Sequence, residues 1–138
     1  MFYVAGIPTY VSMAELATGV VLSGVLPEQE YPEVLAREAL RRWTIHSNLS
    51  LGYASSVLRS RGDVAVGLSN AGRALIERAH AVLASRRQWV LNEKGMVDQA
   101  GLTSQAESLL AATDAGSLLE VVDHIRAQFV SSTNQESQ

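Results

Sequence analysis

The feature that most constrains the fold of this chain is a proline-free stretch from Glu33 to about Ser60 with apolar residues at helical spacing. Interior prolines break helices, so their absence allows one long helix here. One apolar stripe consists of Leu35, Ala39, Trp43, Leu49, Tyr53 and Val57, and a second ridge of Leu40, Leu51 and Leu58. Two ridges predict packing on both sides, as in a central helix of a bundle.

The residues around this stretch predict where helices begin and end. Pro32 suits the first turn of the long helix. Gly62 suits its left-handed end, and Asp63 suits the N-cap of a further helix that runs to about Ser85. The apolar stripe of that helix is Val64, Leu68, Ala71, Leu75, Ala79 and Val82. A solvated ion-pair face is expected on its other side, formed by Asn70, Arg73, Glu77 and His80.

Shorter helices are predicted before and after this pair. The capping-box pattern Ser12-x-x-Glu15 predicts a first helix over 13–23. Trp89 and Leu91 are expected to be buried, with Asn92 capping a short helix that starts at Glu93 and closes at Gly101. Two more helices are predicted, one capped by Ser104-x-x-Glu107 and one by Asp114 or Ser117. The final helix carries the stripe Leu118, Val122, Ile125 and Phe129.

These patterns predict an all-α fold, a helical bundle of five or six helices. A single domain is expected over residues 1–130, and the polar residues 131–138 are expected to form a disordered tail.

Composition narrows the classes of function. A net charge of −3 disfavours nucleic-acid binding on electrostatic grounds. The chain has no cysteine, and its three histidines (His46, His80 and His124) have no metal-ligand spacing, so neither a metal nor another cofactor is expected. Between Met1 and Pro27 the only charged residue is Glu15, but glycine, proline and hydroxyl residues interrupt the apolar run. We therefore expect a cytoplasmic protein with no membrane segment.

Two segments resemble a known family. They are Trp-Val-Leu-Asn-Glu-Lys-Gly-Met-Val-Asp-Gln-Ala-Gly-Leu (89–102) and Ile-Pro-Thr-Tyr-Val-Ser-Met-Ala-Glu-Leu-Ala (7–17). With the long helices between them, they resemble the HEPN-like helical C-terminal domain of bacterial, actinobacterial-type nucleotidyltransferase-domain proteins. The resemblance implies a substrate-binding or assembly module that lies against a catalytic domain. It also implies that His46, Tyr53, Glu93 and Lys94 are candidate substrate-binding residues.

The catalytic motifs of nucleotidyltransferases are missing from this sequence. Gly116-Ser117 lacks the expected strand context, and Asp63, Asp98, Asp114 and Asp123 are isolated, so no aspartate pair is available to hold metal ions. We therefore expect no enzymatic activity from this chain alone. The chain is either part of a longer enzyme or a separate helical domain whose nucleotidyltransferase partner is missing.

Two other functions remain open. Some HEPN proteins are metal-independent ribonucleases with an arginine four to six residues before a histidine, a spacing that Arg41-x4-His46 resembles. In that hypothesis His46 is the acid and base, and Arg41 or Arg42 stabilises the phosphate. The third possibility is a small-molecule binding accessory protein with a cavity lined by Trp43, Tyr53 and His46.

The nearly uncharged segment 1–27 also predicts self-association. Exposure of several of its large apolar side chains would cost about 1.5–3 kcal/mol each. We expect a symmetric homodimer through this segment and part of the long second helix.

Overall fold

The computed structural model describes residues 3–4, 7–25 and 29–135, with side chains described for 14–25 and 29–131. Within those residues, six helices follow a short antiparallel ladder of two strands, Tyr3–Val4 (β1) and Ile7–Pro8 (β2). The helices are Thr9–Thr18 (α1), Glu33–Arg61 (α2), Val64–Ser85 (α3), Met96–Gln99 (α4), Thr103–Ala111 (α5) and Ala115–Gln135 (α6). The predicted all-α helical bundle is confirmed; the two-residue strands were not predicted.

The two long helices form a hairpin whose turn is as predicted. Gly62 adopts the left-handed conformation (φ 63°), and its N–H donates to the Leu58 carbonyl at 3.1 Å. The Asp63 carboxylate then accepts a hydrogen bond from the Val66 N–H at 3.0 Å. This turn reverses the chain, and α3 packs back along α2.

Small side chains at the contact between α2 and α3 decide which face of α2 is buried. Ser47 and Ala54 are fully buried, and the Ser47 hydroxyl donates to the Ala74 carbonyl at 2.9 Å. Much of the predicted first stripe is wrong as a core face, since Leu49 is 67% exposed and Tyr53 is 54% exposed. Leu51, Ala54 and Leu58 of α2 share one core cluster with Ala71 and Ala74 of α3, whereas Leu49 and Tyr53 lie outside it.

The last helix covers the other side of the hairpin. Its predicted stripe of Leu118, Val122, Ile125 and Phe129 is buried as expected. A polar link also joins α6 to α2, where Asp123 accepts from the Ser55 hydroxyl at 3.0 Å and pairs with Arg59. The remaining core residues come from α2, α3 and the short helices, and include Leu51, Leu58, Leu75, Leu83, Met96, Leu102 and Leu109.

Several predicted helix starts are wrong. The first helix is Thr9–Thr18 instead of 13–23, so Ser12 lies inside it and cannot act as its N-cap. The fourth begins at Met96, and Asn92 instead closes a turn by accepting from the Lys94 N–H at 2.9 Å. Local hydrogen-bonding residues favour both caps and turns, so their pattern alone does not separate the two.

Of the caps predicted for the last two helices, one is wrong and one is confirmed. Leu102 precedes α5, so Ser104 is within that helix and is not its cap. Asp114 does cap the last helix, accepting from the Ser117 N–H at 2.9 Å. That helix continues past the predicted boundary at Val130 as far as Gln135, and residues 136–138 lie outside the described residues.

None of the helices in the described residues has both the length and the apolar content needed to cross a bilayer.

Candidate functional site

A cleft of about 680 Å³ lies where α2 and α3 meet the segments around Tyr31 and Trp89. Its apolar lining comes from Leu35, Ala39, Ala84 and Val90, its aromatic lining from Tyr31, Trp43, His46, His80 and Trp89, and its polar lining from Glu38, Arg42, Arg73, Glu77 and Gln88. A volume of this size is in the range that holds small organic ligands.

Aromatic rings form two walls of the cleft. Trp43 of α2 stacks on His80 of α3, with ring centroids 4.4 Å apart and an interplanar angle of 13°. Tyr31 packs against Trp89 at 4.5 Å and 41°. The Trp89 indole N–H donates to the Gln29 carbonyl at 3.3 Å, which joins the segment before α2 to the segment after α3. The result is a recess with flat, weakly polar surfaces on both sides.

A buried carboxylate joins α2 and α3 at this site. The Glu77 side chain is only 5% exposed and accepts from the Ser50 hydroxyl at 2.7 Å. Its other oxygen accepts from Arg73 Nε at 2.9 Å. The prediction of a solvated face on α3 is therefore wrong at Glu77, because α2 covers this side of the helix and supplies a hydroxyl partner.

At the opposite side of the cleft, one carboxylate holds two arginines. Glu38 accepts from Arg42 Nε at 2.6 Å and from Arg41 at 3.0 and 2.8 Å. These hydrogen bonds lower the pKa of Glu38 to about 2 and raise the pKa of Arg41. The group is therefore fully ionised at neutral pH and carries one net positive charge.

Burial also shifts the pKa values of two aromatic residues that line the cleft. It lowers the pKa of His80 despite the opposing effects of Glu93 and Glu77, and it raises the pKa of Tyr31. His80 is consequently neutral at physiological pH, and its ring stacks on Trp43 as an uncharged surface.

The structure brings together some of the candidate residues from the sequence. Arg42 and His46 line the cleft, and Trp43, predicted to line a cavity, does so too. The Arg41 side chain lies outside the lining and is held by Glu38.

The other candidates lie elsewhere. Tyr53 is on the exposed side of α2, and Glu93 and Lys94 occupy the exposed turn before α4, so none of these three lines the cleft. Leu91, expected to be buried, is 42% exposed.

Sequence reasoning missed Tyr31, Arg73, Glu77 and His80 as residues of one site, and treated Trp89 as core. The spacing of Arg73, Glu77 and His80 does place them on one face of α3, which was a usable signal. Tyr31 and Trp89 are far apart in sequence, and no local pattern indicates that they meet.

In residues 14–25 and 29–131, no group of three or more histidine or acidic side chains is placed to hold a metal ion. No family model, curated protein or solved structure matches the chain.

Proposed function

We propose that this chain is a HEPN-like helical module that binds a small organic ligand in the cleft between α2 and α3. The observation that supports this most strongly is the aromatic lining, since Trp43 with His80 and Tyr31 with Trp89 flank one recess. A concave apolar surface with a few fixed polar groups is typical of small-molecule sites. The proposal joins the substrate-binding role implied by the sequence resemblance with the small-molecule alternative.

The fixed polar groups also fit binding better than catalysis. Glu77 is held by Arg73 and Ser50, and Glu38 by Arg41 and Arg42, so both carboxylates are engaged in ion pairs. Such groups orient a ligand without transferring protons to it.

Binding can be tested with ligands of one ring system. Calorimetric titration with 1-naphthoate, 1-naphthalenemethanol and 1-naphthylmethylammonium should detect one saturable site for at least one of them. Both tryptophans of the chain line the cleft, so quenching of their fluorescence reports on this site alone.

A matched pair of variants locates the site. Ala39→Trp places a large ring in the cleft and should abolish binding, whereas Ala65→Trp, on the exposed start of α3, should bind as the wild type does. The proposal fails if no member of the series binds, or if Ala39→Trp binds unchanged.

A ribonuclease is the second candidate function, and one observation favours it: Arg42 and His46 line the same cleft. Against it, the chain has a net charge of −3, which disfavours binding of a polyanion such as RNA. The wild type and the His46→Ala variant should be incubated with RNA in parallel. We expect no difference in RNA cleavage between them. Cleavage lost in that variant alone would favour the ribonuclease over the binding module.

We further propose that the protein is a homodimer formed through its N-terminal segment and part of α2. Leu22 and Val25 are 95% and 96% exposed, and Ile45, Leu49 and Tyr53 form an exposed row spaced four residues apart on α2. Apolar patches of this kind are uncommon on monomers. Residues 1–2, 5–6 and 26–28 of the predicted interface lie outside the described residues.

Light scattering at micromolar concentration should give about twice the chain mass of 14.9 kDa. Leu49→Arg should reduce the mass to that of one chain, and Leu110→Arg, on the exposed surface of α5, should leave it unchanged. A single-chain mass for the wild type would refute the dimer.

A further inference from the structure

The charged side chains of the cleft indicate the charge of its ligand, which the aromatic side chains do not. Arg42 comes from α2 and Arg73 from α3, and both line the cleft. Each is held through its Nε atom, Arg42 by Glu38 at 2.6 Å and Arg73 by Glu77 at 2.9 Å.

This mode of attachment leaves the outer edges of both guanidinium groups available. A guanidinium has five N–H donors in a planar fork, and the Nε–H is only one of them. Among the described residues, the side-chain hydrogen bonds of Arg42 and Arg73 are the two that they donate through Nε. Arginines oriented in this way are suited to receive a carboxylate or phosphate.

Arg41 adds a further positive charge to the Glu38 group, but its side chain lies outside the cleft lining. It donates to Glu38 through both Nε and Nη2, at 3.0 and 2.8 Å, and it does not line the cleft. With Arg41 and Arg42 on a single carboxylate, the Glu38 group has one positive charge in excess. The pair of Arg73 and Glu77 is neutral, so the side of the cleft formed by α2 attracts an anion.

The aromatic lining favours a flat ligand body. Trp43 and His80 are stacked almost parallel, and Tyr31 and Trp89 are tilted against each other on the segments that flank the hairpin. Small side chains, including Ala39 and Ala84, also line the cleft. An aromatic ring gains dispersion energy against such surfaces and leaves no polar group unpaired.

We infer that the cleft selects a small aromatic anion, with its carboxylate between Arg42 and Arg73 and its ring against the aromatic walls. This inference rests on the proposed ligand-binding function and adds the charge and shape of the ligand. A carboxylate and a phosphate monoester share this chemistry, and 1-naphthyl phosphate therefore belongs in the test beside 1-naphthoate.

The test compares ligands that differ in charge but share one ring system. 1-Naphthoate should bind about tenfold more tightly than 1-naphthalenemethanol, because hydrogen bonds between guanidinium and carboxylate groups are stronger than those of a neutral hydroxyl. 1-Naphthylmethylammonium should bind most weakly. Relative binding of 1-naphthoate and 1-naphthyl phosphate then distinguishes a carboxylate site from a phosphate site.

Arginine variants identify the groups responsible. Arg42→Gln should weaken 1-naphthoate binding by about tenfold and leave 1-naphthalenemethanol binding unchanged. Arg41→Gln removes the excess charge of the Glu38 group but no hydrogen-bond donor from the cleft, so it should weaken 1-naphthoate binding by less than Arg42→Gln does. Arg73→Lys keeps a cation beside the buried Glu77 but removes the fork, and it should weaken 1-naphthoate binding while the protein stays folded by circular dichroism.

The outcomes separate the two proposals. If all three charge types bind equally well, or if Arg42→Gln binds 1-naphthoate as the wild type does, the anion inference is overturned and the ligand-binding function stands. If neither the naphthalene series nor 1-naphthyl phosphate binds, both are overturned.

Discussion

Gly67 of α3 lies directly against Leu58 of α2, and this contact predicts opposite effects for two glycine-to-alanine substitutions in α3. A Cβ atom at Gly67 would lie 2.6 Å from Leu58 Cδ2 and 2.7 Å from Leu58 Cγ. Leu58 is itself buried, so its side chain has little room to move away. A Cβ atom added at Gly72 would meet no atom of another part of the protein within 4 Å.

The expected magnitudes follow from two opposing terms. Alanine favours a helix over glycine by about 1 kcal/mol, and forcing a methyl group into a packed core costs about 1–3 kcal/mol. Gly72→Ala gains the helix preference of alanine and meets no clash, so it should raise the free energy of unfolding by about 0.5–1 kcal/mol. Gly67→Ala should lower that free energy by up to about 2 kcal/mol.

Urea denaturation followed by far-ultraviolet circular dichroism measures both values. A double-mutant cycle with Leu58→Ala tests the cause, because the shorter side chain removes the clash and the added methyl group then fills part of the cavity. The two substitutions should therefore couple favourably, by about 1–3 kcal/mol. If Gly67→Ala is as stable as Gly72→Ala, or if the cycle shows no coupling, the contact between Gly67 and Leu58 does not limit the packing of these helices.

Three further predictions concern stability. Asp63→Ala removes the cap on the Val66 N–H and should lower the free energy of unfolding by about 1 kcal/mol in urea denaturation, with Asp63→Asn largely restoring it. Leu118→Ala should cost about 2–5 kcal/mol in the same assay, since the side chain is fully buried; a loss below 1 kcal/mol would mean that α6 is not anchored there. Burial lowers the pKa of His80 below its ordinary value of 6.5, so its contribution to stability should be complete above that pH and be lost as the pH falls through the window beneath it. His80→Gln should flatten the pH dependence of the unfolding free energy in this window; an unchanged profile would contradict the assigned burial effect.

Local patterns in the sequence were sufficient to predict much of the helical bundle. Gly62 and Asp63 mark the α2–α3 turn because a left-handed glycine and a capping carboxylate act within a few residues of themselves. The stripe of α6 was also correct, since its period alone places Leu118, Val122, Ile125 and Phe129 on one face. Of the residues that the sequence suggested for a cavity, Trp43 and His46 line the cleft and Tyr53 does not.

What only the tertiary structure decided is which side of α2 faces its neighbours, and that Glu77 on the polar side of α3 is buried. Leu49 and Tyr53 have the composition of a core stripe but lie in solvent, whereas Ser47 and Glu77 are polar and buried. The closeness of the α2–α3 contact favours small residues, and the hydrogen bonds from Ser47 to Ala74 and from Ser50 to Glu77 offset the cost of burying polar groups. Partners so far apart in sequence have no periodicity that links them, so the aromatic walls and the paired arginines of the cleft exist only once the helices have packed.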